Sequence, residues 1–196
     1  MIDMADMMSV IQKHRGDAVV VPAHRAGVAW PEFSDNQERD ISAAAMSKCS
    51  SLGLGVSLAQ PGTKVIIMDG DGSLRMNLGS MVTIANKGPK NLYHFVLENG
   101  MYATTGGQPT PGKDIVSFRD MARAAGYAAA YEFDDLEDFA TQIGKVLGET
   151  GPVFVCVKTV PNPRGRGQRD QEGGQRHRRR NNAEAMHGLR KEFGVD

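Results

Sequence analysis

The sequence predicts an α/β domain with an open, mainly parallel sheet of about five or six strands and helices on both faces. Two observations predict this class. Short apolar runs alternate with longer segments of helical periodicity. The runs have a length and β-branched content that favour strands over buried helical turns. The chain's 196 residues allow one domain with a full core and are too few for two ordinary ones.

Ile2 to His14 repeats apolar residues at helical spacing, and Ala18 to Val21 follows as a buried strand. Pro22 to Arg39 is polar, contains Gly27, Trp30 and Pro31, and reads as a long loop of the kind that is often functional. Asp40 to Gln60 is rich in Ala, Ser, Met and Leu and predicts a closely packed helix, stopped by Pro61-Gly62. Lys64 to Met68 is the clearest buried strand. A helix from Leu74 to Lys87 is ended by Gly88-Pro89. Leu92 to Leu97 forms a third strand. Then come a helix from Val116 to Ala125, a strand from Tyr127 to Phe133, a helix from Leu136 to Leu147 and a last core strand from Val153 to Val157.

After Pro161 the composition turns Gly-, Pro-, Arg- and Gln-rich as far as Arg180 and is expected to be extended or disordered. A last helix, Ala183 to Phe193, is expected to dock through Met186, Leu189 and Phe193. Residues 1–160 are therefore read as the domain and 161–196 as a tail.

Hydrophobic residues make up 40% of the chain and charged ones 23%, with zero formal net charge. The total points to neither nucleic acid nor a membrane surface. It hides an asymmetry: residues 164–196 hold nine Lys/Arg against five Asp/Glu, leaving 14 against 18 before them. Arg176 to Arg180 form a charge run that reads as solvated linker, so no nucleic-acid partner is expected. Cys49 and Cys156 show no metal-ligand or disulfide spacing and read as buried free thiols. The acidic start, Met1 to Asp6, lacks the order of a signal peptide. No apolar run approaches the roughly 20 residues that cross a bilayer. The expectation is a cytoplasmic protein.

The chemistry is concentrated after the clearest strand, in Asp69-Gly70-Asp71-Gly72-Ser73, with a helix following. Ligands of open parallel sheets bind at the carboxyl ends of strands. Glycines flanking Asp71 let the backbone turn and approach a ligand, and the amides of Gly72 and Ser73 favour an anion such as phosphate. A carboxylate there repels phosphate unless a divalent cation, Mg²⁺ or Ca²⁺, lies between them. Mg²⁺ takes about six oxygens. Further oxygens lie 28 residues on, where Asn99 and the turn through Gly100 to Tyr102 follow the next strand. A strand–helix–strand crossover sets two such ends side by side.

Gly70-Asp71-Gly72 followed by Asn99 resembles the cofactor motif of thiamine-diphosphate (ThDP) enzymes. From about Ala43 to Thr110 the chain is similar to the small ThDP-binding subunit of sulfopyruvate decarboxylase and the matching domain of phosphonopyruvate decarboxylase. The carrying residues are Gly53 to Ala59, Asp69 to Ser73, Met76 to Ser80, Thr83 to Asn86 and Thr105 to Thr110. The resemblance implies that Asp71, the Asn99 side chain and the Met101 carbonyl hold Mg²⁺. Gly70, Gly72 and Ser73 would hold the diphosphate, and Met46 would sit beneath the bend of the cofactor. Tyr102 and Thr104 would also line the cofactor site, with Thr104 to Gln108 a mobile loop over the thiazolium. Glu98, where Asn or Asp is commoner, is not expected to bind metal. Arg25, in the loop after the first strand, is open to two readings, a solvated arginine or a contact to an anionic substrate. His94 reads as structural.

The resemblance also implies what the chain lacks. The Glu that activates the cofactor's aminopyrimidine belongs, in that family, to a separate pyrimidine-binding domain, and 196 residues leave no room for it. The expected protein is one subunit of a homo- or hetero-oligomeric decarboxylase acting on a small 2-oxoacid, completed by a pyrimidine-binding (alpha-type) subunit. A carboligase subunit of the acetolactate-synthase kind and a non-catalytic ThDP-binding module are the alternatives.

Overall fold

The computed structural model describes residues 1–41, 45–162 and 181–195. Along the chain run α1 (Met4–His14), β1 (Val19–Pro22), α2 (His24–Ala29), α3 (Cys49–Ala59), β2 (Val65–Gly70), α4 (Asp71–Arg75) and α5 (Gly79–Lys87). There follow β3 (Leu92–Glu98), a short pair β4 (Met101–Tyr102) and β5 (Gln108–Pro109), α6 (Phe118–Ala125), β6 (Ala129–Phe133), α7 (Leu136–Val146), β7 (Val153–Lys158) and α8 (Asn182–Glu192). Five strands form one parallel sheet in the order β1-β2-β3-β7-β6, and β4 pairs antiparallel with β5.

Every residue of β1 and β3 is buried, as expected of strands covered on both faces. Alternation divides their side chains between two cores. Val19, Val21, Val65, Ile67 and Val96 join residues of α3, α5 and α6 on one face. Val20, Ile66, Met68 and Phe95 meet Met7, Met8 and Ile11 of α1 and Phe139 and Ile143 of α7 on the other. Asp3, Ser117 and Asp135 cap α1, α6 and α7 through their side chains, each contact contributing on the order of 1 kcal/mol. Gly88 and Gly126 end α5 and α6 in the left-handed conformation, as their positions in the sequence predict.

Three expected elements are corrected. The stretch Pro22 to Arg39 is not a plain loop: it holds α2 and two 3₁₀ turns, Trp30–Glu32 and Gln37–Arg39. Ala26 and Trp30, one helical turn apart, are buried in the α1/α7 core and draw the backbone into helix. Among the described residues within Asp40 to Gln60, Cys49–Ala59 is the α-helical part. Asp40 instead bridges to Val20, and the Ile41 amide donates to the Val20 carbonyl at 2.8 Å. The buried Arg15 guanidinium, 2.9 Å from the Asp40 carboxylate, holds that segment in place. The single helix expected from Leu74 to Lys87 is two, broken between Arg75 and Gly79, and Asn77 in the break donates to the Ser47 carbonyl at 3.0 Å.

The C-terminal helix docks, but not on all the residues expected. Ala185 and Leu189, four apart, are the buried pair, whereas Met186 is 37% exposed. Phe193 is partly buried against the same core and lies 5.2 Å beneath the Arg39 guanidinium, which also pairs with Glu192 at 2.9 Å. Asn181 and Glu184 form a capping box at its start. Arg176 to Arg180 lie outside the described residues. Cys49 and Cys156 are buried free thiols. Among the described residues no helix is long and apolar enough to cross a membrane.

Candidate cofactor and metal site

In the β2–β3 pair Gly70 lies opposite Leu97. The segments leaving the two carboxyl ends therefore begin side by side, Asp71 opening α4 and Asn99 following Glu98. A cavity of about 240 Å³ opens over these ends. Gly70, Asp71, Gly72, Ser73, Asn99 and Met101 line one side of it. Met46, Tyr102 and Thr104 also line it, so the structure brings together every site residue singled out in the sequence.

Asp71 is 2% exposed. Its Oδ2 accepts hydrogen bonds from the Gly100 amide at 3.0 Å and the Thr110 hydroxyl at 3.4 Å. Burial pushes the carboxyl pKa up. The Gly72 and Gly100 amides and the Arg75 charge oppose that rise, and the negative charge of Glu98 adds to it. Asn99 Oδ1 accepts from the Met101 amide at 2.9 Å, which fixes the amide side chain within its own turn.

The two glycines flanking Asp71 do different work. Gly70 has ordinary extended angles, φ −97° and ψ 150°, so the sharp turn expected there needs no special backbone. A Cβ at Gly70 would meet nothing within 4 Å, which leaves its backbone open to the cavity. At Gly72 a Cβ would lie 2.7 Å from the Tyr102 ring, so only glycine lets β4 close over α4.

Met46 is tied to the same turn by its neighbour. Ser47 has φ 68°, and its amide donates to Ser73 Oγ at 2.9 Å. With Asn77, in the break after α4, holding the Ser47 carbonyl, the segment is clamped through both backbone groups of one residue. No local signal in the sequence announces that clamp. The hydrogen bond from Thr110 to Asp71, too, is visible only in the fold. The residues Thr104 to Gln108 lead into a hairpin: the Gly107 amide donates to the Tyr102 carbonyl at 3.1 Å, and Thr105 and Gln108 bond each other's polar groups.

The cavity is also lined by Asp3 and Met4 at the start of α1, by His24 and Arg25, and by Asn162. Arg25 donates to the Asn162 carbonyl at 2.6 Å. Glu98 is engaged elsewhere, with Lys158 Nζ at 2.7 Å and the Cys156 thiol, a neutral donor whose pKa burial pushes up, at 2.9 Å.

The Asp71 carboxylate, the Asn99 amide oxygen and the Met101 carbonyl would make a hard-oxygen donor set suited to Mg²⁺ rather than to a thiophilic metal. The uncovered backbone at Gly70 leaves room for a phosphate between them. The site fits a metal-bridged diphosphate.

Residues 39–157 match the family described as "Thiamine pyrophosphate enzyme, C-terminal TPP binding domain". The chain is 37% identical over 129 residues to a phosphonopyruvate decarboxylase of Streptomyces hygroscopicus, covering 66% of this chain and 32% of that protein. It is 33% identical over 159 residues to sulfopyruvate decarboxylase subunit beta of Methanocaldococcus jannaschii, covering 80% and 83%. The chain thus spans about a third of the first relative and most of the second. In fold it is similar to the Rhodococcus jostii RHA1 thiamine diphosphate-dependent 4-hydroxybenzoylformate decarboxylase, with TM-score 0.69 and 20% identity over 83% of this chain and 33% of that one.

Proposed function

The chain belongs to the thiamine pyrophosphate enzymes, matching their C-terminal TPP-binding domain, and on that premise we propose that it is the diphosphate- and Mg²⁺-binding subunit of a 2-oxoacid decarboxylase. The observation that carries the reading is the β2–β3 register, which places Asp71 and Asn99 on one cavity edge. Asp71, the Asn99 side chain and the Met101 carbonyl would hold the metal, and Gly70, Gly72 and Ser73 the diphosphate. Met46, Tyr102 and Thr104 would border the rest of the cofactor. When bound, thiamine diphosphate supplies the nucleophile and electron sink for breaking the bond between a carboxylate and a 2-oxo carbon.

This chain's own work is binding and orientation. The Gly100 amide and Thr110 hydroxyl hold the Asp71 carboxylate in one rotamer, so little order has to be gained when metal arrives. Asp71, desolvated at the cavity, would have both its burial and its repulsion of phosphate offset by the cation it holds. The backbone amides at the start of α4 add fixed dipoles of the right sign.

A separate pyrimidine-binding subunit completes the active site in this proposal. The naming of relatives as a beta subunit, together with 83% coverage of one of them, supports a two-chain arrangement. A sulfonated or phosphonated 2-oxoacid is the substrate class suggested by the named relatives. Residues 1–160 serve as the cofactor domain and 161–196 as an appended tail. Calorimetric titration of the chain with ThDP in the presence and absence of Mg²⁺ tests the reading. Binding that needs Mg²⁺ and vanishes in Asp71→Ala supports it, and metal-independent binding refutes it.

A further inference from the structure

Beneath the cavity, a polar line crosses the otherwise apolar layer between the sheet and the helices α3 and α6. Asp69 from β2 and His94 from β3 are fully buried, with Asp69 Oδ2 3.9 Å from His94 Nε2. That is longer than a hydrogen bond, and among the described residues neither atom has another hydrogen-bond partner. On its other side His94 Nδ1 lies 3.1 Å from the buried Tyr127 hydroxyl. Phe154 stands edge-on to the imidazole with centroids 5.3 Å apart. Asp69 Oδ1 accepts the Gly70 amide at 2.9 Å, in the peptide that joins Asp69 to Gly70, the residue before Asp71. Asp69 lines the cavity, whereas His94 is buried below it.

A carboxylate in such a layer costs several kcal/mol unless something polar or charged faces it. The nearby Cys49 thiol cannot neutralise it: burial, then the Asp69 charge, pushes its pKa up, and its Sγ donates to the Val21 carbonyl at 2.9 Å. Burial and the Asp69 charge likewise push the Tyr127 pKa up, so the phenol keeps its proton. Donated to His94 Nδ1, that proton leaves the imidazole hydrogen on Nε2, the nitrogen nearer Asp69.

We propose that Tyr127 and His94 are positioning residues that hold the Asp69 carboxylate, and that Asp69, through the Gly70 amide, orients Gly70, the residue from which the chain enters Asp71 and the metal site. The inference rests on Asp71 being a metal ligand. Outer partners of this kind typically change metal affinity by about 10- to 100-fold when removed.

The test measures Mg²⁺-dependent ThDP affinity of the full chain by calorimetry, with Asp71→Ala as the control. His94→Leu should weaken binding at least about tenfold, while His94→Gln, whose amide keeps a donor near Asp69, should recover most of it. Asp69→Asn combined with His94→Leu should be no weaker than the worse single variant, because both act through one path. Parent-like affinity in His94→Leu, or losses that multiply in the double variant, would overturn the relay. If Asp71→Ala itself binds like the parent, the metal assignment has failed, and the relay falls with it.

Tyr127→Phe is the second variant should His94→Leu not fold. Loss of one hydrogen bond there should weaken binding by about threefold, and unchanged affinity counts against the relay. Nitrogen-15 NMR of His94 needs no cofactor and decides the geometry even if the chain alone binds none. A hydrogen on Nε2 is expected, and an Nδ1–H tautomer with bare Nε2 overturns the proposal.

Discussion

The Gly100 amide donates to Asp71 Oδ2 at 3.0 Å, so the turn that carries Asn99 is joined to the residue that opens α4 before any ligand arrives. The two strand ends form one prebuilt edge. Asp71→Asn keeps an oxygen to accept the Gly100 amide but loses the charge. It should retain the parent's circular dichroism and thermal midpoint while losing roughly 100-fold or more in Mg²⁺-dependent ThDP affinity, about 3 kcal/mol. Calorimetry beside circular dichroism checks both halves of the expectation.

Gly72 sits where an added Cβ would come within 2.7 Å of the Tyr102 ring. Gly72→Ala should therefore cost about 1–3 kcal/mol of stability, read as a lower denaturation midpoint. Replacing Tyr102 by Ala in the same chain removes the collision and should return most of the lost stability. A midpoint unchanged by Gly72→Ala alone would show that the hairpin moves aside freely.

The chain by itself should release no CO₂ from pyruvate, sulfopyruvate or phosphonopyruvate in the presence of Mg²⁺ and ThDP. Activity should appear on adding a pyrimidine-binding chain that co-purifies with it. Turnover by the isolated chain would mean that a residue of its own activates the cofactor, and Glu98 and Glu132 would be the first to replace.

Buried Arg15 lies 2.9 Å from Asp40 and also donates to the Ala18 carbonyl and the Ser34 hydroxyl. Even so, burial outweighs the guanidinium and the hydrogen bonds, and raises the Asp40 pKa above its ordinary value of 3.8. A carboxyl raised on folding takes up a proton as the chain folds. Its contribution to stability is thus most favourable below the ordinary value and falls as pH rises towards the folded one. Arg15→Met removes the opposing charge, enlarges the upward shift and should cost about 3–5 kcal/mol near neutral pH. Denaturant titrations should show the deficit shrinking as pH falls through and below the ordinary carboxylate range. A deficit that grows on acidification would contradict the sign.

Removing residues 163–196 takes away Leu189 from the core and Glu192 from Arg39, but leaves Asn162 beneath Arg25. The truncated chain should melt several degrees lower, since each kcal/mol shifts the midpoint of a domain this size by about 2–4 °C. Its Mg²⁺-dependent ThDP affinity should match the parent's. Loss of affinity with the fold retained would make the tail part of the site.

The sequence by itself determined the layered class, the strands and the turns that end α5 and α6, because those depend on local periodicity and on glycine at a left-handed position. That Asp71 and Asn99 line one cavity was legible for a related reason: a strand–helix–strand unit returns one strand end to the side of the other. Only the tertiary structure decided where long-range polar contacts fall. Ser47 reaches Ser73 across 26 residues, Tyr127 reaches His94 across 33, and Thr110 reaches Asp71 across 39. Trp30 buries itself within a stretch whose polarity reads as loop, and the α4–α5 break turns Asn77 towards Ser47. Periodicity shows which face of an element leaves water. It does not show which partner satisfies a polar group once that face is covered, because that partner is fixed by how separate elements come to lie against one another.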